Sequence, residues 1–258
     1  MPEGDTIHDH ARKIGPLLTG QVLTRVTTQG IERSLDGRTI TGVFPHGKHL
    51  MVDLDDGTRI RTHLGMPGRI RAYAPREADA LLARTSPGRA MLVLATPVVT
   101  VIWWRARTVE ILGRRAPNRD AALAQLGPDI LAADFDPVDA ATRAAGHADR
   151  IAADVLLDQR VVAGIGNIYK NETLAACRVA PTTPIAGLAP AELLSLYATA
   201  HRLMTLRDRT RHVYGRTGEP CERCGAPIRR AEIGEPARTT WWCPACQVAP
   251  GGEGGADR

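Results

Sequence analysis

Leu156-Leu157-Asp158-Gln159-Arg160-Val161-Val162-Ala163-Gly164-Ile165-Gly166-Asn167-Ile168-Tyr169 is the stretch on which the fold turns. An apolar helix ends, Gly164 and Gly166 make a tight turn, and a second helix begins at or just after Asn167. The N–H groups at that second start face outward and form a mouth for an anion. Asn167 has another use open to it, as the cap of the new helix. Helical spacing also marks about 149–158, 167–177 and 190–207, and Asp136-Pro137 opens a helix to about Gly146. A short helix is expected after Asn118-Arg119-Asp120, ending near Gly127-Pro128. The second half of the chain is therefore a helical domain.

On the N-terminal side the period changes. Residues 1–14 suit a short helix with Pro2 at its start and acidic residues in its first turn. From Gly20 to about Leu112 strand signals dominate, over Gln21–Thr28, Arg38–Val43, His49–Leu54, Arg59–His63, Arg69–Tyr73, Met91–Leu94 and Val98–Ile102. Asp36-Gly37, Asp55-Asp56-Gly57, Met66-Pro67-Gly68 and Ser86-Pro87-Gly88 punctuate them. Many short strands in succession predict a β-sandwich or barrel-like domain over 1–115, joined near 113–118 to the helical domain of 116–212.

On the C-terminal side lie four of the five cysteines. Cys221-x-x-Cys224 and Cys243-x-x-Cys246 are separated by eighteen residues. Each pair is a knuckle that aims two thiolates at one point, and two knuckles make the tetrahedral sulfur cage that zinc prefers. Two disulfides or a redox pair are the alternatives. A closed four-thiolate site is structural, so one Zn2+ folding residues 213–247 is expected, with Arg229, Arg230 and Arg238 between the knuckles in reach of phosphates. Residues 248–258, rich in glycine, predict a disordered tail.

At 258 residues with a net charge of +5 and a pI near 9.2, the chain leans toward a polyanionic partner. Only Lys13, Lys48 and Lys170 are lysines among its many cations. Charged residues interrupt the N-terminus too often for a secretory signal. The apolar run Ala90 to Trp104 is too short for a bilayer. A soluble, intracellular monomer is expected.

Pro2 follows a Met that the cell removes before a small residue, which frees a secondary amine. An α-amino group titrates near ~7.7–8 against ~10.4 for lysine, so at neutral pH roughly a tenth of it is already unprotonated. Such an amine is a nucleophile for an aldehyde-like sugar carbon. Many proteins expose a proline in this way without using it; here Glu3 follows directly and Pro45-His46-Gly47-Lys48-His49 supplies a lysine in a glycine-bearing strand entry.

Pro2-Glu3-Gly4, Gly47-Lys48-His49-Leu50, His63-Leu64-Gly65-Met66, Gln125-Leu126-Gly127-Pro128, the 156–169 turn, Val213-Tyr214-Gly215-Arg216 and the paired cysteines occur in this order. Together they resemble the formamidopyrimidine-DNA glycosylase and endonuclease VIII family over about residues 1–247. Gly4 leans toward the endonuclease VIII branch. The resemblance implies an α+β multidomain chain: an N-terminal β-sandwich, a helical helix–two-turn–helix domain and a C-terminal four-cysteine zinc finger, with damaged DNA as partner. It implies a bacterial, cytoplasmic, nucleoid-associated glycosylase and AP lyase of base-excision repair.

Residue by residue, the resemblance makes Pro2 the Schiff-base nucleophile, Glu3 the general acid and Lys48 a phosphate-holding catalytic group. It places His63, Met66, Asn167 and Arg238 on DNA, Met66 filling the gap left by an extruded base. Three positions depart from the formamidopyrimidine branch. Trp103-Trp104-Arg105-Ala106-Arg107-Thr108 lacks the Arg-Phe pair of its wedge, leaving Trp104 or Arg107 as substitutes unless they belong to a sheet. Thr6 stands where an acidic residue is common, and too few residues lie between Leu206 and Val213 for the loop that covers oxidised purines. Oxidised pyrimidines or abasic sites, in double or single strands, are the expected substrates. A lesion-binding module or a zinc-ribbon regulator would need neither Pro2 nor Glu3.

Overall fold

The computed structural model describes residues 2–29, 34–114 and 121–248. The chain divides into two compact units, Met1–Gln125 and Leu126–Arg258. The predicted 113–118 boundary falls mostly, and the tail almost wholly, outside the described residues.

The first unit begins with α1 (Gly4–Leu18), whose Ile7, Ala11, Ile14 and Leu18 recur at helical spacing and are buried. It outruns the expected 1–14. Pro16 has no N–H for the Arg12 carbonyl, and the helix ends within a turn of it, with Thr19 N–H on the Gly15 carbonyl.

Two antiparallel four-stranded sheets follow. One, in spatial order, is β1 (Arg25–Thr28), β6 (Ala90–Ala95), β7 (Thr100–Trp104) and β5 (Arg69–Tyr73). The other is β2 (Ile40–His46), β3 (His49–Leu54), β4 (Arg59–His63) and β8 (Thr108–Leu112). Leu50, Val52, Leu54 and Ile60 of the second sheet share one core with Leu92, Leu94, Val101 and Trp103 of the first and with the apolar stripe of α1. That shared core is the predicted sandwich.

Several details differ from expectation: β1 starts at Arg25 rather than Gln21, and β2 runs from Ile40 to His46 rather than from Arg38 to Val43. β7 starts at Thr100, not Val98, because Thr96 Oγ1 takes the N–H groups of Val98 and Val99 and bends the chain into a turn. A helix absent from the strand reading, α2 (Pro75–Leu82), starts on a proline in its first turn and packs Ala78 against Val93 and Ile102.

Gly68 closes the turn after β4. A Cβ there would lie 2.2 Å from the Leu64 carbonyl oxygen, and that backbone oxygen cannot swing aside. Gly68→Ala is expected to cost roughly 1–3 kcal/mol by overpacking. A thermal melt would read it as a drop of about 2–4 °C per kcal/mol.

The short helix α3 (Ala121–Ala124) ends the first unit. In the second, α4 (Pro137–Ala145), α5 (Ala152–Leu157), α6 (Asn167–Ala176) and α7 (Pro190–Thr205) follow. α4 is capped as the sequence predicts, Asp136 accepting from Val138 N–H. α5 is shorter than the expected 149–158. Ile151 pairs with Pro184, and Asp158 leaves the helix to bind Arg150 at 2.6 Å and Arg160 at 2.9 Å. Their guanidinium groups hold its carboxyl well below the usual carboxylate range, Arg160 first.

The turn between α5 and α6 is built by Gln159. Its Nε2 donates to the carbonyls of Leu157 and Ile165, and its Oε1 accepts from Gly164 N–H. Gly127 N–H meets the Gln159 carbonyl, and a Cβ on Gly127 would lie 2.3 Å from the Val161 oxygen. The finger is a hairpin of β9 (Arg229–Ile233) and β10 (Arg238–Trp242) with cysteine knuckles on either side. No helix among the described residues is long and apolar enough to cross a membrane.

Candidate active site and nucleic-acid interface

Gly47 and Lys48 form the whole turn of a hairpin whose flanking pair is His46 with His49. Gly47 has φ +56°, the left-handed value that the first position of a two-residue II′ turn requires. Lys48 therefore stands at the tip of the turn rather than inside a strand.

α1 runs antiparallel to β2. Gly20 N–H bonds to the Ile40 carbonyl, and Gly15 faces Val43. From Gly15 back to Glu3 the helix rises about 18 Å at 1.5 Å per residue. From Val43 to His46 the strand advances about 10 Å at 3.3 Å per residue, and the Gly47-Lys48 turn extends beyond it in the same direction. The start of α1, with Pro2 half-buried and Glu3 only 1 % exposed, thus lies at the sheet end that carries Lys48.

The same end collects more side chains. His49 pairs with His63, and His63 with Thr108, so the row crosses four strands. The loop after His63 holds Met66, 74 % exposed, while Arg107 N–H bonds the carbonyls of His63 and Leu64 at its base. His63 Nδ1 accepts from Gly65 N–H at 3.1 Å. Burial, then the positive charges of Lys48 and Arg107, push the His63 pKa down.

Trp103 is fully buried with Nε1 on Thr62 Oγ1, and Trp104 donates to the Tyr73 hydroxyl. Both indoles belong to the sheet, whereas Arg107 is exposed. Asp5, buried in the first turn of α1, accepts from both the N–H and the hydroxyl of Thr6.

His49 carries a testable consequence. Its Nδ1 is buried without a hydrogen-bond partner among the described residues. Burial first, then the charges of His63 and Arg61, push its pKa down to about 4. Below pH 6.5 an unfolded chain takes up a proton that the fold refuses until about pH 4. Stability is thus full above pH 6.5 and falls toward pH 4, by at most roughly 3 kcal/mol at 1.36 kcal/mol per unit. Melting across this window is expected to show the loss, and His49→Gln to flatten its slope by about one proton. An identical slope in the variant contradicts the assignment.

In the second unit, Asn167 Nδ2 donates to the Thr239 carbonyl at 2.9 Å, beside the exposed Arg238. Its Oδ1 is buried without a partner among the described residues. The cap of α6 is Gly166, so the capping use of Asn167 is not the one taken. Sequence reasoning missed Glu172, whose carboxylate accepts three successive N–H groups, from His212, Val213 and Tyr214. The available signal was the polar run Lys170-Asn171-Glu172-Thr173 inside a predicted helix; that it is buried on every side only the fold shows.

The Sγ atoms of Cys221, Cys224, Cys243 and Cys246 all lie within 4.8 Å of one another, with close approaches of 3.4, 3.5 and 3.9 Å. Four sulfurs about 2.3 Å from a tetrahedral zinc are about 3.8 Å apart. The donor set fits one zinc.

Family models place the formamidopyrimidine-DNA glycosylase N-terminal domain on residues 1–95 and its H2TH domain on 126–208. The zinc finger found in FPG and IleRS matches 218–248. The chain belongs to the formamidopyrimidine-DNA glycosylase and endonuclease 8 family. Within it, the chain is 35 % identical to the probable endonuclease 8 2 of Streptomyces coelicolor, covering 97 % of this chain and 95 % of that one. It is 36 % identical to the DNA-(apurinic or apyrimidinic site) lyase Nei2 of Mycolicibacterium smegmatis, over 96 % and 100 %. Among solved structures, the MutM (Fpg) protein of Thermus thermophilus matches with a TM-score of 0.78 at 28 % identity, over 96 % and 99 %. The Lactococcus lactis Fpg bound to an AP-site DNA shares the fold, with a TM-score of 0.80 at 24 % identity over 95 % and 99 %.

Proposed function

We propose that the protein is a bifunctional DNA glycosylase and AP lyase of base-excision repair with Pro2 as its nucleophile. The observation that carries the reading is the gathering, at one end of a single sheet, of the chain terminus, buried Glu3, Lys48 and the exposed Met66 loop. The endonuclease 8 and AP-lyase relatives support the same class of reaction.

A stacked base is out of reach, so the nucleotide must be everted, at a cost of about a few kcal/mol that is smallest for damaged pairs. Met66 then fills the vacated space as an apolar wedge. The Pro2 nitrogen forms a bond to the sugar C1′, the base departs with the glycosidic electron pair, and Glu3 protonates the sugar ring oxygen as the ring opens. The resulting iminium acidifies the C2′ protons. Loss of one of them expels the 3′ phosphate by β-elimination, and a second elimination releases the 5′ phosphate. Lys48 and His63 face phosphate at the sheet end, and Asn167 and Arg238 grip the backbone from the second unit. Zinc supplies no step; bound by the four cysteines, it holds the finger hairpin.

Residues 207–212, between the end of α7 and Val213, leave no room for a purine-covering loop. This shortness supports oxidised pyrimidines and abasic sites as the substrates, with a cytoplasmic monomer as the acting form. A panel of duplex and single-stranded oligonucleotides is expected to show faster cleavage at thymine glycol than at 8-oxoguanine. Equal or faster cleavage of duplex 8-oxoguanine overturns the preference. Absence of borohydride trapping on abasic DNA would leave only a binding protein.

A further inference from the structure

Lys170 is fully buried, an uncommon fate for a lysine unless its charge is paired or well bonded. Its Nζ donates to Thr240 Oγ1 at 2.7 Å, and that buried hydroxyl donates in turn to the Arg238 carbonyl at 2.8 Å. The two bonds run in one direction, so each polarises the next.

The neighbours at the same helical face complete the pattern. Asn167, three residues before Lys170, bonds the Thr239 carbonyl, and Asn171, one residue after, accepts from Trp241 N–H at 2.8 Å. Positions i, i+3 and i+4 of α6 thus bond consecutive residues along β10, whose other edge pairs with β9. One helix face thus holds three successive residues, Thr239, Thr240 and Trp241, and the Thr240 hydroxyl passes the contact on to the Arg238 carbonyl.

We propose that Lys170 is a positioning residue: its ammonium, acting through Thr240, sets where Arg238 stands relative to Asn167 and so the span between two phosphate contacts. The inference rests on the reading above that Asn167 and Arg238 hold phosphates. Lys170 itself touches no DNA. Hydroxyl relay and helix-face spacing make the grip a rigid pair instead of two independent side chains, one of them on an exposed strand.

Lys170→Met keeps the stem volume and removes the ammonium; Thr240→Val keeps the shape and removes the relay. Each variant, as full-length zinc-loaded protein, is tested on abasic duplex for half-saturation, single-turnover rate and salt dependence. Both are expected to keep one zinc per chain and the saturated rate. Half-saturation should rise roughly tenfold at about 0.1 M salt, as loss of one phosphate contact requires. The slope of log affinity against log salt should fall by about 1. The double variant should be no weaker than either single one.

A structural lysine would instead lower zinc content or melting temperature and leave the salt slope alone; that result, in either variant, overturns the proposal. Arg238→Ala and Asn167→Ala separate the two layers. If they weaken binding and Lys170→Met does not, the positioning role fails alone. If they leave affinity and slope unchanged, the phosphate grip itself is wrong.

Discussion

Protein that retains Met1 is expected to give no borohydride-trapped adduct with abasic DNA, while protein that begins at Pro2 gives a covalent one. The difference is one bond. With Met1 attached, the Pro2 nitrogen is a tertiary amide whose lone pair is delocalised into a carbonyl. Released, it is a secondary amine, and an α-amino group is in general partly unprotonated at neutral pH, as a lysine is not. A secondary amine also yields an iminium with no N–H to lose, so the positive charge that drives elimination persists.

Pro2→Gly, with a primary amine, should slow both trapping and nicking. Glu3→Gln separates the steps. Glu3 is 1 % exposed, and as the proposed general acid it would act in a site shielded from bulk water. Loss of a general acid costs about 10²–10⁴-fold, here in base release. Abasic DNA, which has no base to lose, should still be trapped by the Glu3→Gln variant. Base release and nicking untouched by both variants, or full trapping by the Met1 form, would mean another amine does the work.

Chelation of the zinc, or Cys243→Ser, is the change with the largest expected effect on structure. The buried apolar residues around the finger are few: Ala175, Val213, Cys221, Ile228 and Cys243. A hairpin with so little core folds on its metal, whose apparent contribution in finger peptides is about 10–16 kcal/mol. Without it, β10 loses its knuckle, and the bonds from Asn167, Lys170 and Asn171 lose the strand they grip. Affinity for duplex should fall toward the nonspecific level and the salt slope should drop with it. The sandwich of the first unit has its own core and should still melt cooperatively. A metal-free chain that binds abasic duplex with unchanged affinity and salt dependence would contradict this.

Much of the molecule was legible because its signals are local. Two Cys-x-x-Cys pairs in one short segment mark a metal cage, and β-branched runs separated by turn signals such as Asp55-Asp56-Gly57 mark strands. The helix α2 escaped because eight residues starting at Pro75 are too few for periodicity to stand out among strands. The end of α5 escaped because Asp158 prefers two arginines to one more helical turn, and their positions depend on the folded chain.

The amino-acid order alone determined the family and the four-thiolate zinc site, since each depends on residues close in sequence or on motif order. Only the tertiary structure decided that the start of α1 shares a sheet end with the Gly47-Lys48 turn and the Met66 loop. The same holds for the committal of Trp103 and Trp104 to the sheet, and for Lys170 lying buried against the finger. Those arrangements arise from strand register and from packing between segments tens of residues apart, which no local pattern encodes.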